Sequence, residues 1–268
     1  MRWIKVLRFF LWAVAILVWV LGLIYLWAPW QFDFINRVPP QNSPKIQLRP
    51  EEFIRQGVRV AVITAHPDDA EFYIGGTLLQ LGRAGAVVQL IVTTDGDKSY
   101  YPFEDFQRNR RVRQEEQNEA TRRWQGLPPI YLGFPDGRTR SSEAEVRGIQ
   151  RELQRFQPDV VLAFDSAFPP RLSHGDHRFA GSAAEVAVER SGLPLWLLRY
   201  STQAPNFWVD FSSLWDEKWA LVLVHQSQFG QGRDKFVYRL IRGSAERHGK
   251  EMGVTLAEGF RGTWFPGR

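Results

Sequence analysis

The chain contains no cysteine among its 268 residues. Disulfide bonds, thiolate metal ligands and a thiol nucleophile are therefore excluded. Any metal site must use histidine or carboxylate side chains, and only five histidines are present. The absence of cysteine does not by itself identify a cellular compartment.

Other signals are also missing. No Gly-x-Gly-x-x-Gly motif follows the first predicted strand, which argues against a dinucleotide-binding enzyme. Internal repeats and low-complexity tracts are absent, so a single catalytic domain is the economical interpretation. No nucleic-acid-binding motif is present. The small excess of 34 basic over 29 acidic residues is spread along the chain, and a solvated arginine-rich surface accounts for it.

The N-terminal segment is poor in charge. After Arg2, Lys5 and Arg8, no charged residue occurs from Phe9 to Trp30. At about 1.5 Å per residue, a helix over this run reaches the roughly 30 Å thickness of the bilayer interior. Residues 1–30 are therefore predicted to be an uncleaved transmembrane helix, with a cleaved signal peptide as the alternative. The basic flank favours a single-pass membrane protein whose catalytic domain is extracytoplasmic.

The rest of the chain divides into a spacer and one domain. Residues 31–56 are polar and contain several prolines, which is typical of a linker. From residue 57 to residue 268, apolar runs rich in β-branched residues alternate with helical segments, which predicts an α/β, Rossmann-like fold with a mostly parallel sheet flanked by helices. The predicted strands lie at 58–65, 86–94, 130–132, 159–164 and 195–200, and the predicted helices at about 75–83, 106–124, 142–156 and 177–190.

Two clusters of histidine and aspartate follow predicted strands. The sequence His66-Pro67-Asp68-Asp69 comes after the first strand, and His174-Gly175-Asp176-His177 lies in the loop after the strand that ends at Phe164. In open α/β sheets, ligands bind at the carboxyl ends of the strands. Each cluster alone is also compatible with an ordinary turn or polar loop. Together they contain three of the five histidines, which favours a metal site.

The residue types in these clusters match a catalytic zinc site. Such sites use three histidine or carboxylate ligands and keep one position open for water. His66, Asp69 and His177 are the candidate ligands. Asp68 would then remain beside the water as a proton acceptor, and His174 would lie near the substrate.

These motifs resemble the signature of the PIG-L/LmbE-like zinc-dependent de-N-acetylase family. The similarity starts at Ala65-His66-Pro67-Asp68-Asp69-Ala70-Glu71 and continues through 75–78, 113–120, 131–137, 158–164 and 174–178, with weaker echoes at 225–228 and 257–260. It extends over about residues 58–260. Many members have Glu where Ala70 stands and Pro where Gly175 stands, and these departures leave the subfamily open.

The resemblance implies a role for each of several residues. His66, Asp69 and His177 would bind zinc, and Asp68 would be the general base. His174 would stabilise the tetrahedral intermediate or protonate the amine, with Asp176 orienting it. Two further positions match substrate-binding positions for sugar hydroxyls, namely Arg113 and Asp136.

The predicted activity is zinc-dependent hydrolysis of the acetamide of an N-acetylglucosamine-type glycan or glycoconjugate. The predicted anchor favours a lipid-linked or surface glycan as the substrate, while the oligomeric state stays open. Two alternatives remain from the sequence. One is a non-catalytic, membrane-tethered glycan-binding protein with the same fold, and the other is a zinc hydrolase that acts on another acyl group.

Overall fold

The computed structural model describes residues 2–35, 46–98, 105–168, 175–230 and 232–268. The chain forms two compact units, Met1–Pro40 and Gln41–Arg268. The helix α1 (Arg2–Ile35) belongs to the first unit. All other elements belong to the second unit, and the domain boundaries given above stay a prediction.

The predicted membrane anchor requires a correction. A span needs about 20 consecutive, predominantly apolar residues in one helix. Across the part of the chain that the structure describes, no helix meets the length and apolarity needed to cross a bilayer. The prediction of a transmembrane helix and of a single-pass, extracytoplasmic membrane protein is therefore wrong.

The second unit is built from alternating strands and helices, as predicted. In chain order the elements are α2 (Pro50–Phe53), β1 (Arg59–Thr64), α3 (Asp69–Arg83), β2 (Val87–Thr94), α4 (Phe106–Arg123), β3 (Leu127–Phe134), α5 (Glu143–Phe156), β4 (Val160–Phe164), α6 (Gly175–Ser191), β5 (Pro194–Tyr200), β6 (Phe207–Asp210), α7 (Trp215–Val222), α8 (Gln226–Phe229), α9 (Asp234–Met252) and β7 (Ala257–Pro266).

The strands form a seven-stranded sheet in the order β3-β2-β1-β4-β5-β7-β6. The first five strands of this order pair in parallel, and β7 pairs antiparallel with both β5 and β6. The strand order reverses between β1 and β4. Crevices at such a reversal are where open α/β sheets bind ligands, and both histidine clusters follow these two strands.

Buried apolar side chains cover both faces of the sheet. One core contains Val60, Val62 and Leu90 together with residues of α3, α7 and α9. The other contains Ala61, Ile63 and Ile91 together with residues of α5 and α6. Successive residues of β1 thus point to opposite cores, as the two-residue period of a strand requires. The long apolar runs of the central strands arise because both faces are covered.

Candidate active site

The first part of the site is the loop that joins β1 to α3. The carbonyl oxygen of Ala65 accepts hydrogen bonds from the backbone N–H of Thr94 at 3.0 Å and from its hydroxyl at 2.7 Å. Asp69 then closes the loop, because its Oδ2 accepts from the N–H groups of Ala65 at 3.0 Å and of His66 at 2.7 Å. The other oxygen of Asp69 is directed toward His177.

His177 is delivered by the first turn of α6, which packs tightly against the end of β4. A Cβ atom on Gly181 would lie only 2.4 Å from the carbonyl oxygen of Phe164, so the helix needs a glycine there. The imidazole of His177 stacks on the ring of Phe164, with centroids 4.3 Å apart and planes inclined by 6°. This packing fixes the ring orientation.

Three donor groups converge between the two loops. Nε2 of His177 lies 3.0 Å from Oδ1 of Asp69 and 3.2 Å from Nδ1 of His66. Nδ1 of His66 lies 3.6 Å from Oδ2 of Asp69. This group could hold a metal ion. Two imidazoles and one carboxylate are a donor set that catalytic zinc accepts.

A second possible metal group shares His66 and adds Asp136 and Asp176. The two carboxylates lie on the other side of the ring, where Nε2 of His66 is 3.1 Å from Asp136 Oδ1 and 3.3 Å from Asp176 Oδ2. Asp176 is already held by the N–H groups of Gly137 at 2.6 Å and Thr139 at 3.2 Å, and by the Thr139 hydroxyl. These carboxylates are better suited to fixing the tautomer and orientation of His66, as carboxylates behind metal-binding histidines do.

Asp68 lies beside this cluster and contacts Arg113. Its Oδ2 is 3.2 Å from Nη2 of Arg113. The same guanidinium group donates to the carbonyl oxygens of Pro67 at 3.0 Å and Lys98 at 2.6 Å, and its Nη1 lies 3.6 Å from Asp136. Both Asp68 and Arg113 are buried. Asp68 therefore borders the metal-binding group without belonging to it.

The comparisons with known proteins agree with this geometry. A family model described as PIG-L, GlcNAc-PI de-N-acetylase, matches residues 61–188, a range that contains His66, Asp69 and His177. These matches confirm the resemblance to the PIG-L/LmbE-like family that the sequence motifs predict. A diacetylchitobiose deacetylase of Thermococcus kodakarensis is 28% identical over 234 residues, which cover 81% of this chain and 87% of that protein.

Two solved structures are also similar to this chain. One is the N,N'-diacetylchitobiose deacetylase from Pyrococcus horikoshii, with a TM-score of 0.73 and 28% identity over 78% of this chain and 84% of that one. The other is a conserved protein from Thermus thermophilus, with a TM-score of 0.64 and 29% identity over 77% of this chain and 94% of that one.

The electrostatics of this site favour a cation. Burial lowers the pKa of His66, but its hydrogen bonds with Asp136, Asp176 and Asp69 outweigh burial and raise that pKa well above its ordinary value. Burial acts to raise the pKa of Asp69, yet the imidazole of His177 and then that of His66 hold the pKa well below its usual range. A buried centre that favours positive charge and offers two imidazoles and a carboxylate fits a divalent metal ion.

The pKa of Asp68 shifts in the opposite direction from the pKa of Asp69. Burial raises the pKa of Asp68 to about 6, although the positive charge of Arg113 opposes this effect. A carboxylate with such a pKa is mostly ionised at neutral pH and holds a proton more readily than an exposed aspartate does.

The predicted site residues lie close together where the structure describes them. His66, Asp69 and His177 form the group that could hold a metal ion, and Asp68, Asp136 and Asp176 surround it. Arg113 is buried against backbone carbonyls. The predicted roles of all these residues stay predictions. His174 lies outside the described residues, and so does its predicted contact with Asp176.

Sequence reasoning missed a buried polar group behind Asp68. Gln117, Glu71, Trp124 and His225 are all buried and hydrogen-bonded to one another through Glu71. One sequence signal could have found Gln117. It lies four residues after Arg113 on α4, so both side chains face the same loop. His225 lies in the interior of the protein.

Proposed function

We propose that this protein hydrolyses the acetamide of an N-acetylglucosamine-type sugar and releases acetate and the free amine, with zinc as its metal. One observation carries the proposal, which is the group of His66, Asp69 and His177 beside the buried carboxylate of Asp68. The match to the PIG-L family model and the names of the similar diacetylchitobiose deacetylases support it.

His66, Asp69 and His177 would hold the metal. When bound there, zinc would act as a Lewis acid that polarises the acetyl carbonyl and makes water acidic enough to attack at neutral pH. Asp136 and Asp176 keep His66 in one orientation by accepting from Nε2. The backbone N–H groups of Ala65 and His66 keep Asp69 in place.

Asp68 would accept the proton of the attacking water. Its pKa of about 6 leaves it mostly ionised at pH 7. Arg113 stabilises the ionised form across a 3.2 Å contact. The leaving amine also requires a proton, and we assign that step to His174, on the evidence of its place in the His-Gly-Asp-His motif.

The nature of the sugar contacts is part of the same proposal. Asp136 and Arg113 are assigned to sugar recognition from the family resemblance, although both also contact other groups of the site. A sugar hydroxyl would therefore have to use the remaining lone pairs of Asp136.

The test is acetate release by the purified full-length chain loaded with zinc. N,N'-diacetylchitobiose and N-acetylglucosamine serve as substrates, and acetate and free amine are quantified together. We expect equimolar acetate and amine, and release that is slower by roughly 10²–10⁴-fold in the Asp68→Asn variant. Binding of the sugars without acetate release would instead support a glycan-binding protein. Acetate release from esters alone would support a zinc hydrolase acting on another acyl group.

A further inference from the structure

The backbone of Asp68 has an unusual conformation for a residue with a side chain. Its φ is 115° and its ψ is −27°. A positive φ brings Cβ into close contact with the backbone, and residues other than glycine keep it only where the surrounding structure holds them there. Something must therefore stabilise the peptide group that joins Pro67 to Asp68.

Helix α4 holds this peptide group at both of its polar atoms. Nη2 of Arg113 donates to the carbonyl oxygen of Pro67 at 3.0 Å. Oε1 of Gln117 accepts from the N–H of Asp68 at 2.9 Å. Residues four apart are neighbours on one helical face. Arg113 and Gln117 therefore bind the carbonyl oxygen and the N–H of the same peptide group. The plane cannot rotate without the loss of one of these bonds.

The amide of Gln117 is itself held in one orientation. Its Nε2 donates to Glu71 Oε1 at 2.9 Å and to the Thr121 hydroxyl at 3.2 Å. A flipped amide would place two oxygens against each other at Glu71, so Oε1 must face Asp68.

Glu71 is fixed by two further donors, both buried. Nε1 of Trp124 donates to its Oε1 at 2.7 Å, and Nε2 of His225 lies 3.1 Å from its Oε2. The carboxylate is buried, and such a group is tolerated only when its oxygens are bonded. A continuous row of hydrogen bonds thus leads from His225 and Trp124 through Glu71 and Gln117 to the backbone of Asp68.

From this geometry we propose that Gln117 is a positioning residue that acts through Asp68. It keeps the carboxylate of Asp68 at the place where a proton is accepted, while Asp69 in the next position keeps its own contacts. The inference rests on the proposed function, in which Asp68 is the proton acceptor. Displacement of a catalytic group by about 1 Å can lower a rate on the order of a hundredfold.

The test compares Gln117→Met with Thr121→Val in the full-length, zinc-loaded protein. Met has nearly the shape of Gln but cannot accept from Asp68. Thr121→Val removes one of the two acceptors of Gln117 Nε2 in the same buried region and leaves the bonds to Glu71 and Asp68 intact. For Gln117→Met we expect a fall in kcat on the order of tenfold or more, with KM and zinc content changed by less than about a factor of two.

A second readout does not depend on activity. The N–H of Asp68 should exchange with solvent deuterium faster in Gln117→Met than in the wild-type protein, and at an unchanged rate in Thr121→Val. If Gln117→Met does not fold, Trp124→Phe, which removes one donor to Glu71, should show a smaller fall in kcat and a smaller rise in exchange.

Three outcomes would overturn the inference. They are an unchanged kcat in Gln117→Met, an equal loss of kcat in Thr121→Val, or unchanged exchange at Asp68. Failure of the proposed function gives a different result, because the wild-type protein would then release no acetate, whereas the exchange rates would still report on the backbone of Asp68.

Discussion

Asp68 and Asp69 are adjacent in the chain but differ in their surroundings. Asp69 accepts from two backbone N–H groups and lies against two imidazoles, which keeps it ionised and directed at the metal-binding group. Asp68 contacts the guanidinium of Arg113, and burial raises its pKa to about 6. Two identical side chains are thereby suited to two tasks, ligand and base.

The first prediction separates these two tasks. Asp68→Asn should keep the metal but lose deacetylase activity by roughly 10²–10⁴-fold, because an amide cannot accept the proton. Asp69→Asn should instead weaken metal binding, since it removes the anionic ligand. Metal content by mass spectrometry and acetate release are measured on both variants. The reverse pattern would show that the two roles have been exchanged.

The second prediction concerns His177. His177→Ala should remove most of the bound zinc while the far-ultraviolet circular dichroism stays unchanged, because the side chain is partly exposed and its removal leaves the backbone hydrogen bonds of α6 in place. His248→Ala is the control, since His248 contacts Glu251 on α9 and should leave zinc content intact. In the wild-type protein, zinc at about 100 times its Kd should add about 2.7 kcal/mol of stability. Full zinc occupancy in His177→Ala would exclude this residue as a ligand.

The residues of the candidate metal site differ in how far the sequence predicts that they lie together. The proximity of His66, Asp69 and His177 could be predicted, because these residue types follow two strands whose carboxyl ends lie at the same edge of the sheet. The contacts of His66 with Asp136 and Asp176 could not, since they join residues 70 and 110 positions apart and depend on the path of two loops. Gln117 was not predicted either: its spacing from Arg113 places it toward the same loop, but the sequence does not give the position of the backbone N–H of Asp68 that it accepts from.

At the scale of elements, periodicity predicted most of the central strands and helices, including α4 and β5, to within a few residues. It did not predict β6, the antiparallel β7 or the strand order. Periodicity reports whether one face is buried and not which strand lies beside which. The N-terminal run was wrongly interpreted as a transmembrane helix from apolarity and length alone.

The third prediction tests the contact between α6 and β4. In Gly181→Ala, the new methyl group would lie 2.4 Å from the carbonyl oxygen of Phe164, so the start of α6 must move away. His177 should then leave the ring of Phe164, and zinc affinity should fall at least about tenfold, within the range seen when groups that orient metal ligands are lost. Gly243→Ala on α9 meets no atom within 4 Å and serves as the control. An unchanged zinc affinity in Gly181→Ala would contradict the prediction.

The fourth prediction concerns the kink of α3 at Ile74. Beyond the kink, the N–H groups of Gly76 and Thr77 donate to Glu258 at 2.9 and 2.7 Å, and the buried Lys218 contacts Glu258 at 2.6 Å. Lys218→Met would leave this carboxylate buried without a cation and should cost about 3–5 kcal/mol of unfolding free energy.

Denaturant unfolding measures this loss, and Lys235→Met, at an exposed lysine, is the matched control. Equal stability of the two variants would mean that the ion pair contributes little to the fold. A fall in zinc affinity that accompanies the loss of stability would show that the kink also affects the adjoining loop of Asp68 and Asp69.

At the scale of the whole molecule, the second unit begins well before the first strand. The unit starts at Gln41, and two residues of the segment predicted as a linker lie in its core. Leu48 and Phe53 both belong to the larger core, and Phe53 packs edge-to-face on Phe207 with ring centroids 5.8 Å apart. The sequence did not predict the burial of Leu48 and Phe53, because single apolar residues in a polar segment give no periodic signal.

The fifth prediction follows from this packing. A chain of residues 41–268 should fold and bind zinc, because it contains the whole compact unit and every described residue of the site. A chain of residues 57–268 lacks Phe53 and should lose about 3 kcal/mol or more, as other buried phenylalanines do on removal. At about 2–4 °C per kcal/mol for a chain of this size, its Tm should be lower by about 6 °C or more.

Phe53→Ala in residues 41–268 should reproduce most of the difference, since it removes the same ring and keeps the chain length. Equal melting temperatures for residues 41–268 and 57–268 would place the boundary of the folded unit at residue 57, as the sequence alone predicts.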